Sequence, residues 1–80
     1  MANDKVIHLN DPATFDEETK DGYALVDFWA GWCAPCLALA PTIDSLADKF
    51  DGQIKICKVD VDSNQDSAAQ FGVLGIPFIA

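Results

Sequence analysis

One stretch limits the possible folds more than any other. Tyr23-Ala24-Leu25-Val26-Asp27-Phe28-Trp29-Ala30 is almost continuously apolar, with Asp27 as its one interruption. A strand with one face in water alternates apolar and polar residues. A run like this one matches a strand of a parallel sheet that is covered on both faces. The flanking chain agrees with that reading. Gly31-Trp32 makes a turn, and beyond it Cys36, Leu39, Ile43, Leu46 and Phe50 recur at spacings of three, four, three and four, which is one face of a helix. Pro35 suits the first turn of that helix, where its missing N–H costs nothing. Pro41 falls in the interior and is expected to kink it, and Asp51-Gly52 ends it. Ile54 to Val61 reads as the next strand, with Lys58 in the alternating register of Ile54 and Ile56.

The remaining segments continue the alternation. Lys5-Val6-Ile7-His8-Leu9 is a short strand-like run closed by the turn-forming Asn10-Asp11-Pro12. Thr14 and Glu17 fit a capping box, opening a weakly amphipathic helix that stops near Asp21-Gly22. A shorter helix is predicted from Asn64 to Phe71, stopped by Gly72, and Val73 to Ala80 is apolar but broken by Gly75 and Pro77. The order β-α-β-α-β-α-β predicts an α/β sandwich containing parallel strands, organised as one domain over residues 1–80.

Charge and composition exclude several function classes. Thirteen acids against five lysines and no arginine leave a formal charge of −8, so the clustered cations of a nucleic-acid surface are missing. No apolar run approaches the ~20 residues of a membrane-spanning helix. Met1-Ala2-Asn3-Asp4-Lys5 carries an acid where a signal peptide has cations, and no long apolar segment follows. Three cysteines do not make the framework of a secreted disulfide-rich domain. A small acidic domain of the cytoplasm is the expectation.

Chemistry concentrates in Cys33-Ala34-Pro35-Cys36. Two thiols three residues apart at the start of a helix share a face, close enough to join with little movement. Cys33 falls where unsatisfied N–H groups and the helix dipole favour an anion, which lowers a thiol pKa. Cys36 lies one turn in, on the apolar face, and is expected to be the less exposed of the two. An exposed, activated thiolate beside a buried thiol suits two-step thiol–disulfide exchange, one sulfur attacking and the other resolving. A zinc half-site and an inert pair are the alternatives. Zinc needs four ligands, and Cys57 and His8 are the only other soft candidates, so exchange is the favoured reading.

The segment Val26-Asp27-Phe28-Trp29-Ala30-Gly31-Trp32-Cys33-Ala34-Pro35-Cys36 resembles the active-site segment of the thioredoxin family. The likeness extends, in order and with matching spacing, to His8-Leu9, Ala40-Pro41, Lys58-Val59-Asp60-Val61-Asp62, Phe71-Gly72-Val73 and Gly75-Ile76-Pro77. It implies a three-layer sandwich and a protein-disulfide reductase. In that scheme Cys33 attacks, Cys36 resolves, and Asp27 is a buried aspartate assisting proton transfer to and from the resolving thiol. Pro77 is implied to follow a cis peptide bond facing the disulfide. Ile76 offers its backbone to substrate, and Trp32 and Gly75 complete an apolar docking surface. The resemblance implies no metal or organic cofactor, protein disulfides as substrates, and a flavoprotein reductase as electron donor. A peptide- or partner-binding module with little turnover is the alternative function.

Departures from the family pattern stand out as well. Ala34 replaces a common glycine, Leu37 a frequent lysine, and Phe78 a small hydroxylic residue. The chain also stops before the family's final strand and helix. A C-terminally truncated domain, with an exposed sheet edge able to pair in a homodimer, is therefore expected. Beside these readings stand plainer ones. Asp27 could lie at a strand edge in water, although apolar neighbours on both sides argue for burial. Lys58 is its natural partner, directly or through a water. Trp29 is chiefly a packing residue that could also line the site, Cys57 a small core hydrophobe, and His8 a structural residue.

Overall fold

The apolar run from Tyr23 to Ala30 forms a strand over Ala24–Trp29, in the middle of a sheet. The computed structural model describes residues 4–70, 72–73 and 75–79. Within them the elements run β1 (Val6–His8), α1 (Pro12–Thr19), β2 (Ala24–Trp29), α2 (Ala34–Lys49), β3 (Lys55–Asp60), α3 (Gln65–Gln70) and β4 (Phe78–Ile79). The sheet order is β1-β3-β2-β4. β2 and β3 pair in parallel from Ala24 opposite Lys55 to Trp29 opposite Asp60, and β1 pairs in parallel with the other side of β3. β4 is antiparallel to β2, with Phe28 opposite Phe78.

Alternation along the strands sorts side chains between two cores. Val26, Phe28, Cys57 and Val59 face Phe15 of α1 and Leu9, with Ala68 of α3 and Phe78 packed around them. Phe28 is fully buried, with the Phe78 ring edge-on at 5.7 Å and Phe15 tilted at 6.4 Å. On the opposite face Val6 and Ile56 pack against Ile43 and Ala47 of α2, flanked by Leu25, Leu39, Leu46 and Ile54. The sheet is thus covered by α2 on one side and by α1 and α3 on the other, the three-layer α/β sandwich expected. Asp27, between Leu25 and Trp29 in β2, belongs to the α2 side.

Local signals hold with some corrections. α2 begins one residue before Pro35 and continues through Pro41 to Lys49, so the proline forgoes one hydrogen bond without ending the helix. Gly52, at φ +82°, turns the chain from α2 toward β3 in a conformation that other residues avoid. The α1 cap is not Thr14 but Asp11. Its Oδ1 accepts the Thr14 N–H at 2.8 Å, while Pro12 fills the first helical position. Asn10-Asp11-Pro12, read as the end of a strand, is therefore the start of the helix: a proline with its φ preset favours starting here over starting two residues later. Asn64 precedes α3 as its cap, its Oδ1 accepting the Ser67 N–H at 3.2 Å. Phe71 and Ala80, predicted to end the second short helix and the apolar tail, lie outside the described residues.

Candidate active site

The site is built where β2 hands over to α2. Ala30, fully buried, accepts the Cys33 N–H at 3.1 Å, closing the Gly31-Trp32 turn. Cys33 then caps α2. Its backbone is extended, its carbonyl accepts the Leu37 N–H at 3.1 Å, and its sulfur accepts the Cys36 N–H at 3.2 Å. Cys33 and Cys36 are joined as a disulfide, with Cα atoms 5.2 Å apart. The N-cap place usually held by a serine or aspartate oxygen is held by a sulfur. When the bond opens, the same N–H and the helix terminus stabilise negative charge on Cys33.

Exposure differs from expectation in degree. Cys36 is the less exposed, at 2 %, but Cys33 is only 5 % exposed rather than open. Trp29, Val61 and Ile76 pack around the pair, and the Ile76 carbonyl oxygen comes within 3.8 Å of Cys33 Sγ. The Ile76–Pro77 peptide bond is cis.

Next to the sulfurs lies a groove of about 340 Å³ lined by Trp32, Val61, Ala68, Val73, Gly75 and Ile76. Three of the residues singled out for docking, Trp32, Gly75 and Ile76, thus meet in one concavity. Val61, Ala68 and Val73 were not singled out. They reach it because the end of β3, α3 and the segment after α3 converge there, a meeting that no local pattern announces. Trp32 is 69 % exposed yet oriented, its Nε1–H donating to Asp62 Oδ2 at 2.9 Å. Asp62 is in turn held by its own N–H, which donates to Asp60 Oδ1 at 3.0 Å. In the sequence Asp62 belongs only to the Lys58-Val59-Asp60-Val61-Asp62 likeness. Its partner lies thirty positions away, so only the fold reveals its use.

Within β2, Asp27 is 1 % exposed, and neither carboxylate oxygen has a hydrogen-bond partner among the described residues. The edge-of-sheet reading is therefore set aside. Burial pushes its pKa above the ordinary value, and the positive charge of Lys58 pulls part of the way back. Lys58 stands opposite Asp27 in the β2–β3 register. No direct ion pair joins them: the ammonium sits over the Trp29 ring, 4.8 Å from its centroid. A lysine stem long enough to reach an aromatic face gains there without losing its influence on the carboxyl group. Pro35 occupies the first turn of α2, and Trp29 contributes both packing on the disulfide and the surface under Lys58.

Cys57 is free, fully buried in β3, and pushed up to about 11, first by burial and further by the Glu18 charge, with Lys55 opposing. His8 is exposed at the end of β1. Among the described residues no three His, Cys, Asp or Glu side chains gather as a metal site, and no helix is long and apolar enough to cross a membrane.

Comparison with known proteins matches this arrangement. The family model Thioredoxin aligns with residues 5–80. The thioredoxin of Pseudomonas aeruginosa is 40 % identical over 77 residues, covering 94 % of this chain and 70 % of that protein. The thioredoxin of Haemophilus influenzae is 49 % identical over 75 residues, covering 91 % and 69 %. The thioredoxin of Staphylococcus haemolyticus is 49 % identical over 65 residues, covering 81 % and 62 %. The chain thus spans roughly two thirds of the length of these relatives. With a match running through every element from β1 to β4 and centred on the dithiol at the head of α2, the chain belongs to the thioredoxin family of thiol–disulfide oxidoreductases.

Proposed function

We propose that residues 1–80 form a thioredoxin-like domain that reduces protein disulfides, with Cys33 as the attacking and Cys36 as the resolving sulfur. The observation that carries the roles is the cap: Cys33 Sγ accepts the Cys36 N–H at 3.2 Å at the start of α2, whereas Cys36 is buried one turn in. The Cys33 thiolate attacks one sulfur of the substrate disulfide, and the other leaves as a thiolate that takes a proton. The result is a mixed disulfide. Cys36 then gives its proton to the Asp27 carboxylate and attacks Cys33 Sγ, expelling the second substrate sulfur as a thiolate, which is protonated in turn. Two electrons pass to the substrate, and the chain is left with the Cys33–Cys36 disulfide. Asp27 suits its part because burial raises its pKa above the ordinary carboxylate value, which makes its carboxylate a better proton acceptor.

Substrate docks in the groove beside Trp32, with Gly75 and Ile76 offering backbone and Pro77 fixing the Ile76 peptide through its cis bond; Lys58, Pro35 and Trp29 support the site without touching substrate. Both electrons reside on sulfur, so the reaction calls for no metal or organic cofactor in this chain. A flavoprotein reductase returns the disulfide to the dithiol, and the cytoplasm, which keeps thiols reduced, is the compartment that suits the cycle. The outer edge of β4 pairs with no strand among the described residues, which makes it the place for a second copy to add. Sedimentation velocity on the 80-residue chain decides that point, with a concentration-dependent dimer expected. The function is tested by reduction of insulin with dithiothreitol, which the chain accelerates and its Cys33→Ser variant does not. A binding module would instead retain substrate with both cysteines replaced and fail to accelerate the reduction.

A further inference from the structure

The groove wall formed by α3 needs an anchor. α3 spans six residues, too few for a helix to persist by its own hydrogen bonds. Immediately before it lies Asn64, 2 % exposed and bonded in four directions. Its Nδ2 donates to the Leu9 carbonyl at 3.2 Å, and its Oδ1 accepts the Ser67 N–H at 3.2 Å. Its own N–H donates to the Asp60 carbonyl at 2.9 Å, and its carbonyl accepts the Ala68 N–H at 3.4 Å. The Ala68 carbonyl then accepts the Val73 N–H at 3.0 Å. The side-chain orientation is dictated by chemistry, since the Leu9 carbonyl can only accept and the Ser67 N–H only donate. These bonds run in series from the end of β1, through Asn64, to Ala68 and Val73, two lining residues of the groove.

We infer that Asn64 is a positioning residue for substrate: its amide ties α3 to the end of β1 and so sets the wall against which a protein disulfide docks. It is not among the residues that line the groove, and its hydrogen bonds go to Leu9, Ser67, Asp60 and Ala68. Its effect therefore falls on recognition of a bulky substrate rather than on exchange at sulfur. This inference rests on the reductase reading for its activity readout and on geometry alone for its second one.

Asn64→Ser separates the two jobs of the amide. Serine can still cap α3 through its hydroxyl but is too short to reach Leu9. The expected result is that kcat/KM for insulin, divided by kcat/KM for dithionitrobenzoate, falls about three- to tenfold, with the change in KM. Amide exchange at Ala68 and Val73 accelerates about tenfold relative to β3, reporting local loosening. Asn64→Ala, which also loses the cap, lowers the ratio at least as far. Val6→Ala, a core truncation on the opposite face of the sheet, lowers stability and leaves the ratio unchanged, separating positioning from general weakening. An unchanged ratio together with unchanged exchange in Asn64→Ser overturns the inference. If the parent chain reduces no protein disulfide, the reductase reading fails, and the exchange rates still decide whether Asn64 holds the wall.

Discussion

Cys33 and Cys36 differ in what each sulfur meets, and that difference is testable. Cys33 Sγ accepts a backbone N–H at a helix start, whereas Cys36 is packed behind it. Cys36→Ser is expected to accumulate a mixed disulfide with substrate and Cys33→Ser none, as read by mass spectrometry; equal trapping would remove the assigned roles. In the reduced chain Cys33 should also alkylate faster than Cys36 at neutral pH. Asp27 lends itself to two measurements. Its folded pKa is raised by burial above 3.8, so its contribution to stability is fully present below that value and is lost as pH rises through the folded pKa. Urea melts across that window should show stability falling with pH, and Asp27→Asn should flatten the slope. Asp27→Ala should stabilise the fold at neutral pH by about 1 kcal/mol, since a carboxyl group without hydrogen bonds leaves the interior. The same variant should release substrate from the mixed disulfide more slowly. A variant that is less stable and equally fast would make Asp27 a structural residue only.

At the scale of elements, α1 shows how two start signals compete. Asp11 and Thr14 both qualify as caps, and Asp11 holds the position because Pro12 follows it. The Thr14 N–H and hydroxyl hold the Asp11 carboxyl below 3.8, so its contribution is present above that value and is lost as pH falls through the folded pKa. Asp11→Ala should therefore lower the urea midpoint at pH 7, by an amount that shrinks as pH falls through the folded Asp11 pKa, whereas Glu17→Ala should hardly move it; the reverse ranking would restore the capping box at Thr14. In α3, Ser67 is buried with an Oγ that has no partner among the described residues. Ser67→Ala should raise stability by about 1 kcal/mol, because the hydroxyl forfeits water without gaining a hydrogen bond. A drop in the urea midpoint would mean that the hydroxyl is satisfied after all.

Across the whole molecule, the sheet divides the side chains between an α2 core and an α1–α3 core, and Cys57 lies deep in the second. Fully buried and with its pKa pushed to about 11, its thiol should react with dithionitrobenzoate at pH 8 only when the chain unfolds, so the reaction reports global opening. Reaction of the folded chain would show that the core opens locally at β3. Phe28, held between Phe15 and Phe78, should cost about 3–5 kcal/mol as Phe28→Ala, more than a chain this small can spare, and circular dichroism should show it largely unfolded. Much of this was legible beforehand. The apolar run at β2, the helical spacing in α2 and the Cys33–Cys36 pair are local or strictly periodic, and backbone geometry alone turns such patterns into strands, a helix face and a shared face for two thiols. Burial of Asp27 was legible too, because apolar neighbours on both sides leave a strand residue no wet face. What only the tertiary structure decided are contacts between distant segments: Asp62 under Trp32, Lys58 over Trp29 rather than on Asp27, and Asn64 joining β1 to α3. Strand order and register determine which side chains meet across thirty or fifty-five positions. A periodic pattern records which face a residue takes, but not which neighbour it finds there.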